Sequence, residues 1–203
     1  ADKTGTAVAL RGRQGSGKSI VSRIFRKLCP SNSVALSQSK HLVGNFNSHL
    51  SGKLIVAAEE AFWSGDKAAQ SVLKDLITGD TLAVEQKGVD VTQMANYSRI
   101  ICTSNEHWVV PADMDERRWA VFDVKDDHAN DHAYFKAILD QMNSGGLERM
   151  LYDLLRMDIS RVNLRQPPRT QGLTEQKLAS LPPVGRWWHE CLSEGSVGMD
   201  PDG

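Results

Sequence analysis

The sequence predicts an α/β fold: a central, mostly parallel sheet flanked by helices, with a small helical part behind it. Three observations carry this. Four short apolar runs rich in β-branched residues, at 6–10, 33–36, 54–58 and 100–103, are hydrophobic without alternation, as strands covered on both faces are. Helical periodicity falls between them, clearest over 68–77, where Val72, Leu73, Leu76 and Ile77 are expected on one face. A glycine-rich turn joins the first strand to an amphipathic segment at 20–28.

That turn, Gly12-Arg13-Gln14-Gly15-Ser16-Gly17-Lys18-Ser19, reads G-x-x-x-x-G-K-S. Between a strand and a helix this is the pattern of a phosphate-binding P-loop. Gly12, Gly15 and Gly17 let the backbone curl, so that N–H groups of the loop, Gln14 and Ser16 included, face phosphate oxygens. The helix behind adds its positive dipole end. Lys18 reaches the β- and γ-phosphates and the Ser19 hydroxyl ligates Mg²⁺. A nucleoside triphosphate is the expected ligand.

The run 53–60 is an apolar strand ending in two carboxylates, Glu59 and Glu60. At the carboxyl end of a strand beside a P-loop, one acid holds Mg²⁺ and the other polarises the attacking water. Glu59 is assigned to the metal and Glu60 to the water; the plainer alternative is an acidic pair at a helix start. The helix over 68–77 stops at Thr78-Gly79-Asp80. Two alternating runs, 81–85 and 89–92, then flank Gln86-Lys87-Gly88 and predict a β-hairpin with a charged tip. Next, 99–105 is a strand ending in Thr103-Ser104-Asn105, where Asn105 either orients water at the γ-phosphate or merely caps a turn. Arg117 and Arg118 precede a fifth strand over 119–124. An arginine there can reach a neighbouring subunit's phosphate, or form a surface cluster with Asp113, Asp115 and Glu116.

Beyond Asp126 two helices are expected, 131–142 and 147–157, broken at Ser144-Gly145-Gly146. The stretch 163–174, with Pro167-Pro168, reads as an exposed arm, and 184–192 as a short helix carrying Trp187 and Trp188. This divides the chain into an ATPase core, 1–127, and a helical C-terminal region with a Pro-rich arm, 128–203. His128 and His132, with Asp127 and Asp131, read as a solvated helix start rather than a zinc site. The Trp pair reads as helix packing rather than base stacking. Arg161, Arg165 and Arg169 read as an ordinary basic arm.

Composition narrows the class. The 203 residues suffice for one sizeable core, and the formal net charge of −1 gives no global footprint for nucleic acid, so any DNA contact is local or built by several subunits. Cys29, Cys102 and Cys191 are scattered and odd in number, which argues for reduced thiols in a cytoplasmic setting. No apolar run is long enough to span a membrane. The start at Ala1, close to the first strand, and the end at Met199-Asp200-Pro201-Asp202-Gly203 suggest a piece of something longer.

In order and spacing, the P-loop, the strand with two acids, the Lys-Gly hairpin, the Thr-Ser-Asn strand and the arginine before a strand resemble superfamily 3 helicases. These are AAA+-related ring motors, here most similar to the helicase part of phage or plasmid primase–helicase and polymerase–helicase proteins. The resemblance spans about residues 5–124. It implies a P-loop NTPase fold, ATP and Mg²⁺ as cofactors, and a homo-oligomeric ring, hexameric in expectation, on single-stranded DNA. It implies Glu59 as metal ligand, Glu60 as catalytic acid, Asn105 as sensor and Lys18 as the phosphate-binding lysine. Arg118 matches the arginine finger through R-x-x-V-F, with Arg117 as the other candidate, and Lys87-Gly88 matches the pore hairpin that grips DNA. Glu-Glu and Gly88 depart from relatives that carry aspartates and a histidine at those positions. A DNA-loading factor without unwinding activity shares every ATP-site residue; a small-molecule phosphotransferase leaves the hairpin and Asn105 unexplained.

Overall fold

The structure, a computed structural model, describes residues 3, 5–38, 40–60, 67–163 and 166–195. Ala1, Arg165 and the 199–203 end lie outside the described residues. Five strands form one sheet with every pairing parallel: β1 (Ala7–Arg11), β2 (Ser33–Leu36), β3 (Ile55–Glu59), β6 (Arg99–Ser104) and β7 (Trp119–Asp123). Their spatial order is β2-β3-β6-β1-β7, which puts β1 between β6 and β7. The expected strands are in place to within a residue at each end. Their continuous hydrophobicity has the anticipated cause: Ala7, Ala9, Val56, Ala57 and Cys102 are completely buried in the middle of the sheet.

Helix α1 (Lys18–Leu28) follows the glycine-rich turn and packs across β3 and β6. A one-turn helix, α2 (Lys40–Val43), precedes β3, and α3 (Lys67–Thr78) follows it. Leu73, Leu76 and Ile77 of α3 enter the core, but Val72 does not and is exposed. Val72 shares the face with Leu76, one turn on, but stands at its margin, about 140° around the helix from Ile77, so it meets solvent rather than the core.

The hairpin forms as expected from β4 (Thr81–Gln86) and β5 (Val89–Ala95), a separate antiparallel ribbon with Lys87-Gly88 as its two-residue turn. Its base is tied down: the buried Asn96 side chain donates to the carbonyls of Leu76 and Gly79, and Asn47 bonds Ala83 and Glu85.

After β7, α4 (His132–Gln141) is capped by Asp131, which accepts from the Tyr134 N–H at 2.9 Å. A wide turn at 142–146 leads into α5 (Leu147–Arg156), with the expected break at Ser144 and at Gly145, whose φ is 90°. The exposed arm ends sooner than expected, because α6 (Gln171–Ala179) begins inside it. Thr170 caps that helix by accepting from Leu173 N–H, and also accepts from Val121 N–H, so the cap anchors α6 on β7. Helix α7 (Pro183–Glu194) closes the described chain. Trp187 and Trp188 on it are 50% and 49% exposed, so the expected packing covers at most one side of each ring.

Candidate functional site

Open parallel sheets take ligands in the crevice at the carboxyl ends of their strands. Here that edge collects the turn after β1, the end of β3 and the end of β6 around a cleft of about 540 Å³. Gly15 (φ 81°) and Gly17 (φ 86°) hold left-handed backbone that side chains avoid, and this curls the turn over the start of α1. Gly12 is glycine for space: a Cβ there would sit 2.6 Å from the Val124 carbonyl. Gly17 at the N-cap of α1 offers no side chain to the first N–H groups of the helix, of which Ile20 N–H turns to the Gly17 carbonyl at 3.0 Å. Ser19, at the second position of α1, is exposed toward the same cleft.

The Lys18 ammonium lies inside the turn. It donates to the carbonyls of Gly12 and Arg13 at 2.7 Å each and to Asn105 Oδ1 at 3.0 Å. Burial holds its pKa below the ordinary lysine value, since the charged form has lost water. This buried cation therefore joins the β1 turn directly to the end of β6.

Glu59 and Glu60 close the other side. Glu59 stands in register with Thr103 of β6 and is loosely paired with Arg26 of α1 at 3.7 Å. Glu60 has φ 54°, a left-handed conformation uncommon for a glutamate, which turns the chain at the strand end; its side chain lines the cleft beside Asn105. Lys18, Ser19, Glu59, Glu60 and Asn105, expected to act together, thus line one cleft. Ser19 and Glu59 offer oxygen donors only, a set that fits Mg²⁺ better than a softer metal. Among the described residues no group of three His, Cys, Asp or Glu is placed to hold a metal. His128 instead stacks on Tyr134, with ring centroids 3.8 Å apart.

The two remaining expected residues lie elsewhere. Lys87 is exposed at the hairpin tip, where Gly88 takes φ 78° with open space around it. Arg118 sits at the opposite edge of the sheet. Its carbonyl accepts from Ala7 N–H at the start of β1, about 17 Å of strand from Gly12. Its guanidinium contacts the buried Glu116 carboxylate at 3.3 Å, while Arg117 is exposed. Both arginines line a second cleft of about 1020 Å³, which also carries Lys3, Arg169 and Lys177.

Several structural partners of the site are not visible as motifs. Arg11, the last residue of β1, is buried and ion-paired with Asp123 and with Glu175 of α6, and it donates to the His107 carbonyl at 2.8 Å. These carboxylates hold its pKa above the ordinary arginine value despite burial. Gln176 of α6, fully buried, accepts from the N–H groups of Val109 and Val110 and donates to His107 O. Together they fix the segment that follows Asn105. The segment after β7 also returns to the glycine turn: Asn130 N–H donates to Gly15 O, and Phe135 packs against Gly17.

Residues 10–118, more than half of the chain, match the model of a family described as "Family of unknown function (DUF5906)". The chain is related to the DNA primase-polymerase of Nitratiruptor phage NrS-1, 29% identical over 125 residues, which is 60% of this chain and 17% of the phage protein. It is similar in structure to the C-terminal region of NrS-1, in an apo structure matched with TM-score 0.75 at 19% identity and in its A form apo structure with 0.74 at 20%. Each match covers 98% of this chain and 52% of the other, so the chain spans about half of that region. The α/β fold with its parallel sheet is therefore shared with that C-terminal region.

Proposed function

We propose that this chain, which belongs to the DUF5906 family, is the ATP-driven motor domain of a DNA helicase of the superfamily 3 type, serving the replication of a phage or mobile element. The observation that carries the reading is the convergence of Lys18, Ser19, Glu59, Glu60 and Asn105, drawn from three strand ends, on one cleft behind a glycine-rich turn. The relation to a phage DNA primase-polymerase supports the replication context.

In this reading the turn N–H groups and Lys18 bind the β- and γ-phosphates of ATP, replacing the carbonyl contacts that Lys18 makes within the turn. Ser19 and Glu59 hold Mg²⁺, which when bound neutralises charge on the phosphate oxygens. Glu60 accepts a proton from the water that attacks the γ-phosphorus in line, as the bond to the bridging oxygen breaks and ADP leaves. Asn105, already hydrogen-bonded to Lys18, senses the γ-phosphate and passes its loss to the segment fixed by Gln176 and Arg11. Arg118 cannot reach its own chain's cleft from the opposite edge, so it serves the next subunit of a ring. Lys87 at the hairpin tip then grips the backbone of one DNA strand, with little sequence preference and strong salt sensitivity.

Steady-state ATP hydrolysis with and without single-stranded DNA tests this, for wild type, Lys87→Ala and Arg118→Ala. DNA stimulates wild type, Lys87→Ala loses only the stimulation, and Arg118→Ala binds ATP but falls at least about 100-fold in turnover. Hydrolysis that ignores DNA and survives loss of Arg118 would overturn the ring-motor reading. A strand-displacement assay separates a helicase from a loading factor.

A further inference from the structure

We infer that the segment after β7 supplies the nucleobase wall of the ATP cleft, with the face of the Phe135 ring as the surface on which the base stacks. This rests on the nucleotide reading above and adds the half of the ligand that the phosphate-binding residues leave unassigned. The topology sets up the division. The turn after β1 is flanked on one side by the ends of β6 and β3, which bring Asn105, Glu59 and Glu60, all polar and suited to the reacting phosphate. On its other side is β7, and the chain leaving β7 folds straight back onto the turn.

That return is close. Asn130, itself left-handed at φ 61°, donates its N–H to Gly15 O at 3.2 Å, and its Oδ1 lies 2.3 Å from where a Cβ on Gly15 would be. The edge of the Phe135 ring lies 2.4 Å from the corresponding point on Gly17. Two turn residues are thus glycine not only for their φ values but because this segment occupies the side-chain space. Phe135 is half-buried and lines the cleft together with Gln14, Ser19 and Ile20. Tyr134 meets it edge-on at 5.3 Å and is itself stacked on His128, so the ring belongs to a braced aromatic group.

An aromatic face beside a phosphate loop, on the side away from the carboxylates, is the environment of a nucleobase. Phenylalanine has no hydrogen-bonding atom with which to read a base edge, and every base has a π face. The site therefore takes nucleoside triphosphates as a class, with weak discrimination among bases.

Calorimetric titration of the whole chain, with Mg²⁺, compares ATP, GTP, CTP and inorganic tripolyphosphate on wild type, Phe135→Leu and Phe135→Tyr. Phe135→Leu keeps an apolar side chain against Gly17 but removes the ring. It should weaken all three nucleotides about tenfold and leave tripolyphosphate unchanged, whereas Phe135→Tyr should bind like wild type. If nucleotides and tripolyphosphate weaken together, the ring merely props the turn and the base wall falls, while the phosphate site stands. Unchanged ATP binding in Phe135→Leu also overturns it. If wild type binds neither ATP nor tripolyphosphate, the nucleotide reading itself falls.

Discussion

Glu60 combines its proposed chemistry with strain in one residue. Its left-handed φ of 54° costs on the order of 1 kcal/mol for a residue with a full side chain, and asparagine tolerates that region far better. Glu60→Asn should therefore raise the melting temperature by about 2–4 °C while ATP hydrolysis drops at least about 100-fold with ATP still bound. Thermal melting and a turnover assay on the same sample check both halves. Retained hydrolysis would remove Glu60 as the acceptor of the water's proton, and a lower melting temperature would mean that the conformation is relaxed rather than strained. The place of the glutamate pair was legible in the sequence, because the carboxyl end of an apolar strand in a parallel sheet delivers its last residues to the crevice edge. The strain was not legible, since it arises from how the chain must turn off β3, and residue type alone carries no trace of it. Lys18 shows the same limit: its motif places the lysine at a glycine-rich turn, whereas its hydrogen bond to Asn105, 87 positions on, required the fold.

Among the elements, strands and the hairpin were readable and α6 was not, for a definite reason. A strand inside a doubly covered sheet must be apolar along its whole length, so β1, β3 and β6 are plain runs. Helix α6 buries Gly172, Leu173 and Gln176, one small residue, one apolar and one polar, which leaves no apolar stripe to detect. It is held by fit and hydrogen bonding instead: a Cβ on Gly172 would lie 2.7 Å from Val121 O, and Gln176 satisfies three backbone groups of the 107–110 segment. Gln176→Leu keeps the volume approximately but leaves those buried groups unmet. It should cost about 3 kcal/mol and lower the melting temperature by about 6–12 °C. Because the same segment follows Asn105, turnover should fall more than ATP affinity does. A variant that melts like wild type would show that water replaces the amide without loss, and α6 would then have no hold on the segment that follows Asn105.

For the whole molecule, the decisive feature is that the two parts of the proposed hydrolytic site face away from each other. The glycine turn lies at the carboxyl edge of the sheet and Arg118 at the amino edge, so one chain presents each part to a different neighbour. A ring satisfies this with a single repeated interface, because head-to-tail contacts close when the rotation between subunits divides a full turn. Two variants that are each inactive should then rescue one another. Lys18→Ala spoils its own cleft but still offers Arg118 to the next subunit; Arg118→Ala does the reverse. In a one-to-one mixture, random assembly places an intact cleft beside an intact arginine at about a quarter of the interfaces, so activity should return to roughly that fraction of wild type. The assay is DNA-stimulated ATP hydrolysis across a series of mixing ratios, with each variant alone as baseline. Recovery that peaks near equal proportions requires the arginine to act between chains. A mixture no better than its components, formed under conditions where wild type assembles and turns over, would place both groups in the service of a single chain, which the roughly 17 Å of strand between them makes untenable for this fold; Arg118 would then have to be read as the structural partner of Glu116 alone.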